Sequence, residues 1–299
     1  MAVFLQVVFP VLLIFAAGYV IQLVARLDIK SLATITLYIM LPNLVFKTFY
    51  EAELNQEYVM MLAFAAILLA AIIVINKLAA KIRNYDQATE SGMILSTAFM
   101  NSGNYGTPII LFAFGKEAFM YAVSFMVLQA IIMNFFGVYY AARGSAGIKL
   151  AFQSVLKMPP TYAVLAALVM NLGSIPVPGS LMSVITLVGD ATIPTMMITL
   201  GMQLAEITVK NMNWMKISYA AFVRLLASPL IAYVLTLVLP MDPMMANVLI
   251  VAAACPSAAT TTMYALQFDA KPGLVSSITL VTTLLSLLTI PILLILLGA

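Results

Sequence analysis

No histidine occurs among the 299 residues, cysteine and tryptophan occur once each, and charged side chains make up only 8% of the chain. A single thiol, Cys255, excludes an intramolecular disulfide, and without histidine no His- or Cys-rich zinc site can be assembled. Neither a metal nor a cofactor is therefore expected. HExxH, GxSxG and a convincing pair of intramembrane aspartates are missing too, so an intramembrane enzyme is not expected. The shortage of charge excludes a soluble globular domain, whose surface needs polar cover: 64% of the residues are hydrophobic and the mean hydropathy is +1.10. The expected partner is the lipid bilayer of the cell membrane, not nucleic acid.

Apolar runs are what the chain has in abundance. Stretches long enough to cross a hydrocarbon core of roughly 30 Å recur near residues 4–24, 31–49, 58–79, 91–114, 118–141, 158–173, 181–203, 214–239, 244–267 and 273–297. They predict an all-α polytopic membrane protein of ten transmembrane helices, with nothing left over for a soluble domain. The first run lacks a basic leader and exceeds a signal-peptide core, so it is expected to stay as span one. Basic residues concentrate in cytoplasmic loops. With the N-terminus outside, Arg26, Lys30, Lys77, Lys81, Arg83, Arg143, Lys149, Lys157, Lys210, Lys216 and Lys271 fall inside, and only Lys47 and Lys116 fall outside. The acidic loop EAELNQE, residues 51–57, then faces the exterior, and the tenth span returns the C-terminus there.

Prolines within these runs recur at an offset of about 150 residues: Pro10 with Pro160, Pro42 with Pro194, and Pro108 with Pro256. The offset predicts a repeat. Five helices per half is an odd number, so two similar halves, 1–149 and 150–299, must enter the membrane in opposite directions, as the inverted repeats of secondary transporters do.

Span four carries NSGNYGTPII, residues 101–110, a polar insertion in an apolar helix. Proline lacks the amide proton and suits the first position of a helix. Thr107 therefore reads as an N-cap and Pro108 as the start of a new half-helix, while Gly103 and Gly106 let the preceding half end. Unwound backbone at membrane depth needs polar partners, which Asn101, Ser102, Asn104 and Thr107 provide. The counterpart in span nine is ACPSAATTTMYALQF, residues 254–268, where Cys255 and Pro256 open a second half-helix and Ser257, Thr260, Thr261 and Thr262 supply hydroxyls. It lacks glycine. Inverted symmetry would bring both breaks to the midplane with two helix N-termini aimed at one cavity, a ready site for a carboxylate, and with C-termini opposite that attract cations. The alternative is that each proline is only a kink healed by its neighbours.

Two charges fall deep inside spans, Asp190 in span seven and Arg224 halfway along span eight. Such residues mark a pathway, a coupling group or an internal pair. Arg224 either offsets an anionic substrate, pairs with Asp190 or backbone carbonyls, or snorkels, and Asp190 either pairs or titrates as a proton-coupling group. In span five Gln129 and Asn134 sit about 140° apart around a helix of 3.6 residues per turn, so one lines the cavity and the other bonds to a neighbouring helix. The 21 methionines are packing residues, and Gly189 and Gly201 permit close helix approach.

NSGNYGTPIILFAFG resembles a motif of the auxin efflux carrier family, which includes the plant PIN-FORMED carriers and bacterial permeases of malate or malonate; Asn101, Gly106 and Pro108 match it. VLQAII is similar to the segment whose glutamine contacts substrate in plant carriers, which places that role on Gln129, and Pro256 matches the second crossover proline. GDATIPTMMITLGMQL and VRLLASP also look like family segments. The resemblance implies a ten-helix fold whose transport domain moves as an elevator against a scaffold, assembly as a homodimer, and a small carboxylic acid as substrate. Asn134, where plant carriers have an aromatic residue, and Val45, where they have a hydroxyl after the helix-two proline, weaken the case for auxin itself and leave room for a smaller, more polar acid such as malate or malonate beside an auxin-like acid. Related bile-acid symporters bind sodium with acids near their crossovers; here the nearest are Glu90 and Asp190, neither in a crossover, so sodium coupling is not expected. The resulting site comprises Asn101, Ser102, Asn104, Thr107, Pro108, Gln129, Asn134, Cys255, Pro256 and Ser257, with Asp190 and Arg224 as coupling or ion-pair residues. The rival is a sensor that binds a small acid without moving it.

Overall fold

A helix closes its own backbone hydrogen bonds within one apolar segment, and the chain is helical almost throughout. The computed structural model describes residues 7–52, 56–142, 145–206 and 212–298, the side chains of 145 and 146 excepted. The helices are α1 (Phe9–Ala25), α2 (Ile29–Glu51), α3 (Gln56–Arg83), α4 (Gln87–Ala98), α5 (Ser102–Ala142), α6 (Ser145–Leu156), α7 (Pro159–Leu172), α8 (Gly179–Glu206), α9 (Trp214–Val238), α10 (Pro243–Ala254), α11 (Thr260–Gln267) and α12 (Pro272–Leu296). Among the described residues there is no strand, only one isolated β-bridge.

Six helices, α2, α3, α5, α8, α9 and α12, are each long and apolar enough to cross a membrane, and the α6–α7 pair, bent by 56°, makes a seventh. The apolar helices α1 and α10 are shorter. Fewer single-helix spans appear than the ten expected, for a physical reason. The runs at 91–114 and 244–267 are each divided between two helices, and the run at 4–24 begins outside the described residues, as do Arg143 and Lys210 of the charge bias. α5 in turn holds two expected spans joined at Gly115, whose φ of 81° and ψ of −165° only glycine adopts readily.

Polarity is arranged for a membrane. Large apolar side chains such as Val24, Leu187, Val238 and Leu296 stand on the outside, more than a soluble surface tolerates. The interior holds Asn76, Ser96, Thr97, Thr107, Arg224, Ser228, Ser257, Thr279, Thr282 and Ser286, all buried.

Proline shapes three of the helices in the same way. Pro42, Pro108 and Pro229 each follow a five-residue π-turn, at Thr36–Met40, Ser102–Gly106 and Val223–Ala227, closed by bonds from Leu41, Thr107 and Ser228 N–H to Thr36, Ser102 and Val223 C=O. A proline ring collides with the carbonyl four residues back, and a turn widened by one residue moves that carbonyl aside.

Packing divides the helices into two sets. α1, α2, α7 and α8 pack on one another; α3, α4, α5, α9, α10, α11 and α12 pack on one another. The sets meet where 192–206 of α8 faces Ser102–Gly106 and where Leu41–Glu51 faces α5. Within the first set α1 and α8 touch backbone to backbone, since a Cβ on Gly18 would lie 2.2 Å from Ile198 O and one on Gly201 2.0 Å from Phe15 O. Gly189 approaches Leu44 less closely, at 3.1 Å. Both glycines expected to allow close approach do so, and Gly18 adds a third.

Asp86 caps α4, accepting from the Thr89 amide at 2.7 Å and pairing with Lys271 at 3.2 Å. Its carboxyl is held down to about 2, chiefly by the Thr89 hydroxyl and amide and then by Lys271. Because the folded value lies below the ordinary carboxylate value of about 3.9, the contribution is complete above pH ~4 and is lost as pH falls through 2. Asp86→Asn should therefore melt below wild type at pH 6, and the gap should close as the pH is lowered from 4 to 2.

Candidate functional site

The polar cluster of span four sits where two helices end. α4 stops at Ala98; Phe99 is extended at φ −113° and ψ 112°, and Asn101 takes φ −81° and ψ 63° before α5 begins. α10 stops at Ala254, Cys255 is extended at φ −62° and ψ 150°, and the chain runs on through Pro256 and Ser257 to α11. The two extended pieces lie antiparallel, bridged at Met100 and Ser257. Asn101 N–H donates to Pro256 C=O at 2.8 Å, and Ala258 N–H donates to Phe99 C=O at 3.0 Å. Each break bonds part of the backbone of the other, which lowers the cost of unwinding in a buried place.

The positions of the breaks differ from those expected. Thr107 does not cap a helix: its hydroxyl donates to Ser102 C=O at 2.8 Å, inside a helix already running from Ser102, and Pro108 lies one and a half turns into it. The π-turn absorbs the proline, so the chain breaks upstream at 99–101. In the second break Cys255 and Pro256 are part of the extended piece, and the helix resumes only at Thr260. Gly106 is needed for closeness, since a Cβ there would stand 2.7 Å from Cys255 Sγ.

α12 supports both breaks with a stripe of hydroxyls. Thr282 Oγ1 accepts from Ser257 N–H at 3.2 Å, Thr279 Oγ1 meets Ser257 Oγ at 3.3 Å, and Ser286 Oγ meets the Tyr105 hydroxyl at 2.8 Å. These residues were not singled out from the sequence, although positions 279, 282 and 286 repeat at helical spacing along one face.

Of the residues proposed to touch substrate, Asn101, Ser102, Asn104 and Gln129 make no side-chain hydrogen bond among the described residues. None of them is among the sealed polar atoms that go without a partner. Their polar groups therefore have capacity for a ligand. Gln129 lies one turn from Met126, whose Sδ would be 3.1 Å from a Cβ on Gly103, so this face of α5 fronts the first break. Asn134 is occupied otherwise: it donates to Ala130 C=O at 2.9 Å and accepts from Tyr264 of α11 at 2.8 Å. Of the two span-five amides, Asn134 is the one bonded to a neighbouring helix.

Arg224 does not pair with Asp190 and does not snorkel. It is fully buried, in the π-turn of α9. One terminal nitrogen donates to Thr97 C=O at 2.6 Å; the other donates to Ser228 Oγ at 2.6 Å and to Ala253 C=O. Ser228 Oγ also donates to Ala253 C=O, at 2.9 Å. Thr97 and Ala253 belong to the last turns of α4 and α10. Asp190 instead pairs with Lys47 at 3.4 Å, with its side chain 65% exposed on the protein.

Two interrupted helices whose extended pieces pair with each other lie in one helical, largely apolar chain. A family described as membrane transport protein matches residues 3–294. The chain belongs to this family, that of the auxin efflux carriers. Two similar proteins are described as uncharacterized transporters: one from Methanothermobacter thermautotrophicus, 27% identical over 96% of both chains, and one from Methanocaldococcus jannaschii, 24% identical over the same shares. As a membrane transport protein of this family, the chain carries its two helix breaks in the segments that bear the quoted motifs.

Proposed function

We propose that this transporter is a secondary carrier of a small organic anion, a carboxylic acid of the size of malate or malonate. The observation that carries the proposal is the hydrogen-bonded crossing of the two breaks at Met100 and Ser257. Beyond it α5 and α11 begin, and the first amides of a helix, at the positive end of its dipole, attract a carboxylate. Asn101, Ser102, Asn104 and Gln129 are the side-chain donors on hand. Met126 and Met196 pack against Gly103 beside them.

Ten spans in two inverted five-helix halves, 1–149 and 150–299, are the topology we assign. Its support is the pairing of helices. α1 packs on the second part of α8, and α7 packs on the second part of α2; α3 packs on α4, and α9 packs on α10. Exchanging the halves turns each contact into the other. The separation into two packed sets suits an elevator, in which the set holding the crossover slides against the set of α1, α2, α7 and α8 and exposes the acid to each side in turn. Assembly as a homodimer and an exterior location of both termini belong to the same proposal.

The test is flux of labelled malonate or malate into liposomes holding the purified protein. Wild type should show saturable flux, and Asn101→Ala combined with Gln129→Ala should lower it at least about 100-fold, since each lost bond to a charged ligand is worth roughly 1.5–3 kcal/mol. Undiminished flux in the double variant would remove the site. Saturable binding with no flux in wild type would make the protein a sensor.

A further inference from the structure

Arg224 is the one fully buried formal charge among the described residues, and no carboxylate answers it; the two ion pairs there are Lys47–Asp190 and Lys271–Asp86. An unpaired guanidinium in such a place is very costly. Its partners are the Ser228 hydroxyl and the Thr97 and Ala253 carbonyls, the latter two at the ends of helices of 12 residues each, while its Nε has no partner among the described residues. A helix C-terminus carries about half a negative charge. Two of them converging on one point supply about one, which offsets the charge of the guanidinium without a carboxylate.

Two half-helix ends, their carbonyl oxygens and a serine hydroxyl form the kind of oxygen cage that coordinates an alkali cation in carriers with broken helices. Here a side chain fills it. We propose that Arg224 is a resident countercation: it holds the carboxyl ends of α4 and α10 together in the place a dissociable cation would take, and so makes the crossover independent of sodium and potassium. Removing the side chain, as in Arg224→Ala, should leave a vacant cation site lined by Thr97 O, Ala253 O and Ser228 Oγ. The geometry of the guanidinium matters as well as its charge. A planar fork reaches two carbonyls and a hydroxyl at once, which the single ammonium of lysine does not. The proposal rests on the carrier assignment only for its consequence in transport; the cage itself is independent of substrate.

The experiment is therefore a melting measurement on purified full-length protein without any substrate, at constant ionic strength, with choline exchanged for sodium or potassium. Wild type should melt at the same temperature in all three. Arg224→Ala in choline should melt roughly 10 °C lower, and millimolar guanidinium or sodium should restore a saturable part of the loss, as a ligand of the folded state does. Arg224→Lys should fall between the two and stay indifferent to sodium. A saturable gain by wild type in sodium or potassium would overturn the proposal, even if Arg224→Ala cannot be purified. So would an Arg224→Ala protein that melts lower but responds to neither guanidinium nor sodium. Because no flux is read, failure here leaves the carrier assignment standing, and absence of flux leaves this result standing.

Discussion

Gly201→Ala should yield little or no folded protein, although a single methyl group is the smallest change a glycine allows. The new Cβ would lie 2.0 Å from Phe15 O, and the neighbouring atoms within 3.0 Å are backbone as well, so no rotamer change relieves the overlap. Gly18 meets Ile198 O in the same manner from the opposite helix. Separating α1 from 192–206 of α8 would break an extensive helix contact. Overpacking with side-chain relief costs about 1–3 kcal/mol; a rigid backbone contact exceeds that and consumes a large share of a total stability of about 5–15 kcal/mol. Size-exclusion profiles of detergent-extracted Gly201→Ala and Gly18→Ala should lack the monodisperse wild-type peak. Gly179→Ala, with open space around its Cβ, should keep it. A wild-type profile for Gly201→Ala would mean that α1 and α8 are not in backbone contact.

Gly106→Ala should impair the protein and be repaired by Cys255→Ala. The backbone at Gly106 is helical, φ −70° and ψ −49°, so alanine suffers no conformational strain there. The obstacle is one atom, Cys255 Sγ at 2.7 Å; the next contact, Asn101 O, is at 3.6 Å. Cys255→Ala alone should cost about 1–2 kcal/mol for a small cavity. Gly106→Ala alone must push the two breaks apart and strain the bonds between Asn101 and Pro256 and between Phe99 and Ala258, so both melting temperature and flux should drop. The double variant should recover most of the loss, a coupling energy of roughly 1–3 kcal/mol. Additive losses would show that the two residues do not touch.

Much of this organisation was legible from residue types. Apolar runs and proline positions marked the helices, and the polar insertion at 101–108 marked a break that exists. The proline rule misplaced the break by about two turns, because a π-turn accommodates Pro108 and nothing in residues 102–106 announces one. The second break was harder to read. It needs no glycine, since Cys255 adopts ordinary extended backbone and no residue from 255 to 259 takes a positive φ. Arg224 and Asp190 had alternatives that only three-dimensional neighbours decide: one meets carbonyls from two distant helices and the other a lysine on α2. The α12 hydroxyls went unread for a different reason, since Ser and Thr in a membrane helix commonly bond their own preceding turn, as Thr279, Thr282 and Ser286 also do.

The most direct test places a thiol at the crossover. Cys255 is the only cysteine, so Asn104→Cys in a Cys255→Ala background gives one reporter beside the start of α5. Reconstituted in liposomes, it should react with a membrane-impermeant maleimide, and malonate or malate should slow that reaction saturably while a neutral diester of the same acid should not. A reaction rate unchanged by every small carboxylate would contradict an anion site at the crossing of the two broken helices.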